Sequence, residues 1–490
     1  MFSSNDVVQF SETAKAFLSK QNINYLRAYA RSVGVEKPTE KKKEDLIQAV
    51  IDIKTGRISP IEQSKRGAPL RNDYFPNEIA CFIDDLVNGI LLKTHLKKEK
   101  NERGVPIVLH SPDYVEEKAE NLSLNPFDLG KIYRGQIQYF NNVPCLIPLN
   151  CKKAKETVIF SEKQLEDYEL REGDIVTCKV KRGENALVAD IVLTRNELVI
   201  TPDAPYRNHF EDGIPCYPNE KIRFVKDGEN NGVAMKYLDW VFQIGKGQRG
   251  CIVASPKSGK TRLLYEMAQA VRKVNRNVKL LTLLVDQSPE NVAKFQAVLR
   301  DDEIVATTYE DEPEKQVFAA EFLLKRAKRL VESGRDVVLL IDAFNALAWA
   351  YNDTDASSGG KTLEGGLESK TLHYIKKFFA AARCLGEQGS LTIVGAVSSG
   401  TGNPADELIC RELVSVANLD IRFNEDLAVK RIYPAFDLLA SSTHNEGTLK
   451  DDDLDRYLRL IYIPNNGMEK LLKDLDESLT YENFLEKIKD

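Results

Sequence analysis

Four stretches in the second half of the chain are almost wholly apolar: GCIVAS (250–255), VKLLTLLVD (278–286), DVVLLIDAF (336–344) and SLTIVGAVS (390–398). A strand with one wet face alternates, so runs apolar on both faces predict strands of a buried parallel sheet. The segments between them space their apolar residues three and four apart, which predicts helices covering the two faces. Residues 205–490 are therefore expected to form one α/β domain.

Upstream the texture changes. Between 130 and 200 the pieces KIYRGQIQYF, VPCLIPL, ETVIF, DIVTCKVKR and ALVADIVL are parted by turns at Asn141-Asn142, Arg171-Glu172-Gly173-Asp174 and Gly183-Glu184-Asn185. Five short strands in so small a span predict an OB-type closed barrel, with a plain sandwich as the alternative. Residues 1–55 form a helical module in this reading. Thr39 after Pro38 marks the start of a helix that carries Leu46, Ile47, Val50 and Ile51 on one face. Residues 56–129 begin as a linker mixing Gly, Pro and charges, continue as the amphipathic helix NEIACFIDDLVNGILLKTHLKKEK, and end in an irregular stretch from Asn101 to Leu129.

At 490 residues and 42% hydrophobic, the chain has material for about three domains. No apolar run approaches the ~18 residues of a membrane span, and MFSSNDVVQF lacks a basic segment followed by an apolar one, so a cytoplasmic, membrane-free protein is expected. Eight cysteines without a C-x-x-C pair, beside five histidines, predict free thiols in a reducing compartment and not zinc or disulfides. The formal charge of −6 makes no global case for nucleic acid, although a local basic stripe is sufficient for binding. Lys152, Lys153, Lys179, Lys181 and Arg182 are candidates for phosphate contacts, with a plain solvated face as the alternative.

The chemistry concentrates at GCIVASPKSGKTRLL, where a strand runs into a tight turn and then a helix. The N-terminal amides of such a helix cradle phosphates, which makes Ser255, Pro256, Lys257, Ser258, Gly259, Lys260, Thr261 and Arg262 nucleotide-binding candidates. Lys260 would meet the β and γ oxygens of ATP, and the Thr261 hydroxyl would hold Mg2+. One position departs from G-x-x-x-x-G-K-[ST]: Ala254 stands at the first glycine. Asp342 ends an apolar strand about 80 residues later, where an acid can orient that Mg2+. Asp286 and Gln287 end another strand near the same sheet edge. A carboxylate there can polarise an attacking water, whereas an amide orients water but takes no proton.

With these residues in place, GKGQRGCIVASPKSGKTRLL, RDVVLLIDAFNALAWAYND, SSGGKTLEGGL, GSLTIVGAVSSGTG and VKRIYPAFDLLASS, in this order, resemble the bacterial transcription termination factor Rho family. The resemblance covers most of the chain, least well over 75–129. It implies a multi-domain protein with an N-terminal helical module, an OB-type RNA-binding barrel and a RecA-like P-loop ATPase domain. It also implies a homo-hexameric ring that binds single-stranded nascent RNA, ATP and Mg2+, works on the RNA polymerase elongation complex, and acts as an RNA-dependent ATPase and helicase. Matched residue by residue, Lys257, Lys260, Thr261 and Asp342 take nucleotide and magnesium roles. Lys361 is a pore-loop RNA contact, and Tyr433 stands beside adenine.

Departures from the family pattern accompany the matches. Gln287 stands at the catalytic base and Ser288 beside it, while His444 aligns with the arginine finger. Ala346 and Trp349 replace arginines, and Pro404 and Val414 replace lysines. In the barrel, Tyr139 and Phe140 are displaced from the family's base-stacking loop, and Cys145 occupies an aromatic position. Two readings follow: an RNA-dependent ATPase that terminates transcription, with Lys260, Gln287, Asp342 and His444 at the catalytic positions, or a nucleotide-gated regulatory relative with little hydrolysis. An unrelated RecA-like ATPase, such as a rotary ATPase subunit, is disfavoured by the barrel and by GKGQRG.

Overall fold

The computed structural model describes residues 14–54, 58, 132–443 and 458–489, less positions 16–17, 20–22, 36, 153–156, 184–186, 203–206, 227, 230, 356–361 and 463–466. The linker and amphipathic helix expected at 56–129 therefore fall almost wholly outside the described residues, and Lys153, Lys361 and His444 lie outside them as well.

The N-terminal region folds as α1 (Ile23–Val33) and α2 (Lys43–Lys54). Leu46, Ile47, Val50 and Ile51 are buried with Leu26, Tyr29 and Ala30, which accounts for the helical spacing. The helix start expected at Thr39 is displaced: residues 38–40 form a turn, Lys37 has φ 45°, and α2 begins at Lys43. Glu44 and Asp45 in its first turn complement the positive end of the helix dipole there.

Residues 132–199 build one six-stranded sheet from β1 (Ile132–Phe140), β2 (Val143–Ile147), β3 (Val158–Ile159), β4 (Ile175–Arg182), β5 (Leu187–Arg195) and β6 (Leu198–Val199), with α3 (Glu162–Asp167) between β3 and β4. The order is β3-β2-β1-β4-β5-β6, and β3 also pairs with β5. β1 and β2 form a hairpin from Gln136↔Ile147 to Phe140↔Val143, turned by Asn141 and Asn142, both at positive φ. Asparagine tolerates that conformation, which makes the pair a turn signal. β4 and β5 pair antiparallel with two irregularities in register, between Thr177 and Cys178 and between Lys179 and Val180.

The second half is an α/β domain. Its strands are β7 (Arg249–Ala254), β8 (Val278–Gln287), β9 (Ile304–Thr308), β10 (Asp336–Asp342), β11 (Arg383–Cys384), β12 (Ser390–Ser398), β13 (Leu419–Arg422) and β14 (Ser442–Thr443). They run in the order β14-β13-β7-β12-β10-β8-β9, with β11 on β12. The four apolar runs are the parallel centre, β7, β12, β10 and β8, in neighbouring registers such as Leu340↔Val394 and Ile341↔Leu283. The helices between them are α4 (Lys260–Val274), α5 (Pro289–Gln296), α6 (Pro313–Glu332), α7 (Phe344–Asp355), α8 (Ser369–Phe379) and α9 (Pro404–Val414). Ile252, Leu263, Met267, Leu284, Leu340 and Val394 share one buried core. A side chain at Gly395 would collide with the Phe344 ring, so this glycine lets α7 seat directly against β12 below the end of β10. No helix among the described residues is long and apolar enough to cross a membrane.

Candidate nucleotide site

The C-terminal ends of β7, β8, β10 and β12 meet at one edge of the sheet, the usual ligand position in an open α/β sheet. β7 ends at Ala254, and residues 255–259 turn back into α4. Lys257 and Gly259 sit at φ 63° and 107°. Gly259, at the N-cap of α4, lies against the Tyr433 ring, where an added Cβ would come within 3.2 Å of Cδ2 and Cε2. The left-handed backbone favours glycine there, and a Cβ would in addition press on the ring.

Lys260 is buried, and its ammonium donates to the carbonyls of Ala254 at 2.8 Å and Ser255 at 2.9 Å. Burial pushes its pKa down to about 8, opposed by the Asp342 carboxylate. Asp342, at the end of β10 in the next strand but one from β7, is buried as well. Burial raises its pKa, while a hydrogen bond with the Thr261 side chain and the charge of Lys260 hold it down. Its Oδ2 is buried with no hydrogen-bond partner. A buried carboxylate oxygen with no donor is costly unless something else occupies it. The set fits Mg2+ with a polyphosphate: a hydroxyl and a carboxylate oxygen for the metal, an ammonium for the phosphates.

Gln287 lies at the end of β8, facing the same edge. Its Nε2 is 3.4 Å from the carbonyls of Val285 and Asp342, and its Oε1 is 3.4 Å from the Asn291 amide. Ser288 is occupied structurally: it is the N-cap of α5 and accepts from the Asn291 backbone N–H. Lys260, Thr261, Asp342 and Gln287, expected at one site, meet here: Lys260 and Thr261 face the Asp342 carboxylate, and Gln287 its carbonyl.

Tyr433 borders the loop from the other side. Arg262 stacks its guanidinium 3.7 Å from the ring centroid, and the Tyr433 hydroxyl donates to Glu266 at 3.1 Å. Burial, with the Glu266 carboxylate adding to it, raises the pKa of that hydroxyl. Glu266 was not anticipated, although its place four residues after Arg262 on a helix is a readable signal, and the two pair at 2.9 Å. A second unanticipated group surrounds Asn345. Its amide donates to Asp406 at 2.9 Å, and its carbonyl accepts from the Ser398 backbone at 2.7 Å. Thr401 and Trp349 complete the hold on Asp406. Nothing local in the sequence signals contacts that span some 60 residues. Trp349, at a position expected to hold arginine, is thus tied into the packing behind the 398–403 loop.

The other expected contact residues lie in the six-stranded sheet of residues 132–199. Tyr139 and Phe140 end β1 and are 40% and 46% exposed, but the Phe140 ring lies 5.8 Å from that of Phe318. Lys181 pairs with Asp190 at 3.2 Å. Lys179 is partly buried in β4, and Arg182 is its last residue.

Comparison with known proteins agrees with the geometry. Residues 234–443 match the nucleotide-binding domain of the ATP synthase alpha/beta family. A transcription termination factor Rho from Escherichia coli is 34% identical over 343 residues, covering 68% of this chain and 81% of that protein. One from Pseudomonas aeruginosa is 35% identical over 342 residues, covering 68% and 78%. A solved ATPase of a bacterial type III secretion system covers 59% of the chain and 91% of its own, at 21% identity and a TM-score of 0.43, too low to bear on the reading. On the identity and coverage of the first two, the chain belongs to the transcription termination factor Rho family.

Proposed function

We propose that this protein is a cytoplasmic Rho-type RNA-dependent ATPase that binds single-stranded nascent RNA, assembles as a homo-hexameric ring and acts on the RNA polymerase elongation complex. In this reading residues 1–55 are its helical module, 130–200 its OB-type RNA-binding barrel and 205–490 its RecA-like motor. The observation that carries the nucleotide part is the unpartnered Asp342 Oδ2 beside Thr261 and Lys260. Thr261 and Asp342 would hold Mg2+, and the 255–262 loop with Lys260 would hold the phosphates. Magnesium supplies charge neutralisation on the phosphate oxygens when bound. Lys257 would add a second cation at the rim, and Tyr433 would border the base once Arg262 moves aside. Lys361, His444 and the barrel's Tyr139 and Phe140 enter on the family resemblance alone, and Lys179 and Arg182 on their charge.

Gln287 favours slow turnover within this reading. Its amide is positioned to orient a water but has no basic site to accept the proton, and loss of a positioned base costs ~10²–10⁴ in rate. A regulatory relative that binds nucleotide with little hydrolysis is the second reading, and the same residue supports it. Steady-state hydrolysis with and without poly-pyrimidine RNA, beside calorimetry of nucleotide binding on the same preparation, separates the two. RNA-stimulated turnover supports the motor, binding without turnover supports the regulator, and absence of binding overturns both.

A further inference from the structure

Cys216 lies on the segment that leads into the α/β domain, and Cys384 in β11, 168 residues later. The two residues form an antiparallel bridge, with the Cys216 amide donating to the Cys384 carbonyl at 2.9 Å. Opposed residues of an antiparallel pair stand about 4.5–5.5 Å apart at Cα, inside the range that a disulfide spans. Both cysteines are free thiols, and their sulfurs are 3.0 Å apart.

The surroundings fix this pairing. Cys384 is held on β12 through Cys384↔Ser390, and an added side chain at Gly247 would collide with its backbone. On the other segment, Gly213 packs so closely on Leu385 and Gln388 that a Cβ would meet both at 2.8 Å. Phe210 is buried under the Arg383 guanidinium, 5.0 Å from its ring centroid. Neither backbone has far to move for the sulfurs to bond.

Access differs between the two. Among the described cysteines Cys216 is the exposed one, with exposed Ile214 and Tyr217 beside it, whereas Cys384 is 6% exposed. Burial, with Cys216 close by, pushes the Cys384 thiol up to about 11, so it is a poor first nucleophile. Burial likewise pushes Cys151 and Cys410 up to about 11 and Cys178 up to about 12.

We infer that Cys216 and Cys384 are a redox modification site: a dithiol that a low-molecular-weight disulfide such as oxidised glutathione converts to an intrachain disulfide, fastening residues 207–218 to β11. The Cys216 thiolate attacks one glutathione sulfur, breaking that S–S bond and releasing one glutathione thiol. Cys384 loses its proton to solvent and attacks the Cys216 sulfur, forming the protein disulfide and expelling the second glutathione. Two protein thiols give up two electrons and two protons, which end on the two released thiols.

The test treats the full chain with graded ratios of oxidised to reduced glutathione, followed by acid quench, alkylation under denaturing conditions and non-reducing peptide mapping. The expected result is joint loss of two alkylatable thiols, a crosslinked pair of peptides containing Cys216 and Cys384, and full recovery with dithiothreitol. Cys216→Ser abolishes the loss, and Cys384→Ser stops at a glutathione adduct on Cys216. Because Cys216 is exposed, its serine variant keeps the test intact even where the Cys384 variant does not fold. A wild type that accumulates the adduct without the crosslink, links between chains, or loses no thiols overturns the assignment.

Discussion

Replacing Lys260 examines the nucleotide site through a quantity the structure makes explicit. Its ammonium is buried against two carbonyls and its pKa is pushed down to about 8 from an ordinary 10.5. A triphosphate at the loop brings negative charge to the same spot and restores the preference for the proton. The sign follows from linkage. Below about pH 8 the ammonium is charged with or without nucleotide, so affinity is flat. Above it, chains that have lost the proton must regain it to bind, and Kd rises toward tenfold per pH unit. With the bound state back at or above 10.5, the weakening between about pH 7 and pH 9.5 comes to about 30-fold. Lys260→Met removes the titrating group, so its profile is flat relative to wild type. At pH 7 its affinity is weaker by about 10- to 150-fold, because a charged hydrogen bond is worth ~1.5–3 kcal/mol. The assay is isothermal calorimetry with a non-hydrolysable ATP analogue and Mg2+ across that pH range, repeated in buffers of different ionisation enthalpy to count the protons taken up. A wild-type affinity that does not change over the range, or a methionine variant that binds like wild type at pH 7, refutes the reasoning.

Three further outcomes are expected. Gln287→Glu combined with His444→Arg raises RNA-stimulated kcat by more than the product of the single changes, because base and finger act on one transition state; a wild type already near ~10 s⁻¹ would show that another residue supplies the base. Light scattering with ATP analogue and RNA gives a ring of about six subunits, and a strict monomer at micromolar concentration counts against both functional readings. Arg326→Ala costs about 3 kcal/mol in urea unfolding, because the buried guanidinium holds Gln136 Oε1 at 2.8 Å and the carbonyls of Asp302 and Leu149 at 3.0 and 2.5 Å; a change below about 0.5 kcal/mol would show that these contacts carry no weight.

Much of the α/β domain was legible because its signals are local. An apolar run can only be a buried strand if its neighbours cover both faces, and a Gly-Lys-Thr between strand and helix has one common use, so β7, β8, β10, β12 and the 255–261 loop were placed by pattern. The short strands β9, β13 and β14 were not separately anticipated, since strands of two to five residues carry too few positions to show a period. What the tertiary structure alone decided are the unpartnered Oδ2 of Asp342 and the encounters across long separations: Tyr433 stacked under Arg262, Asn345 bridging Ser398 and Asp406, and Cys216 set against Cys384. Sequence periodicity reports which face of an element is buried. Which distant side chains share that burial depends on strand order and register, and those are fixed only when the whole sheet packs.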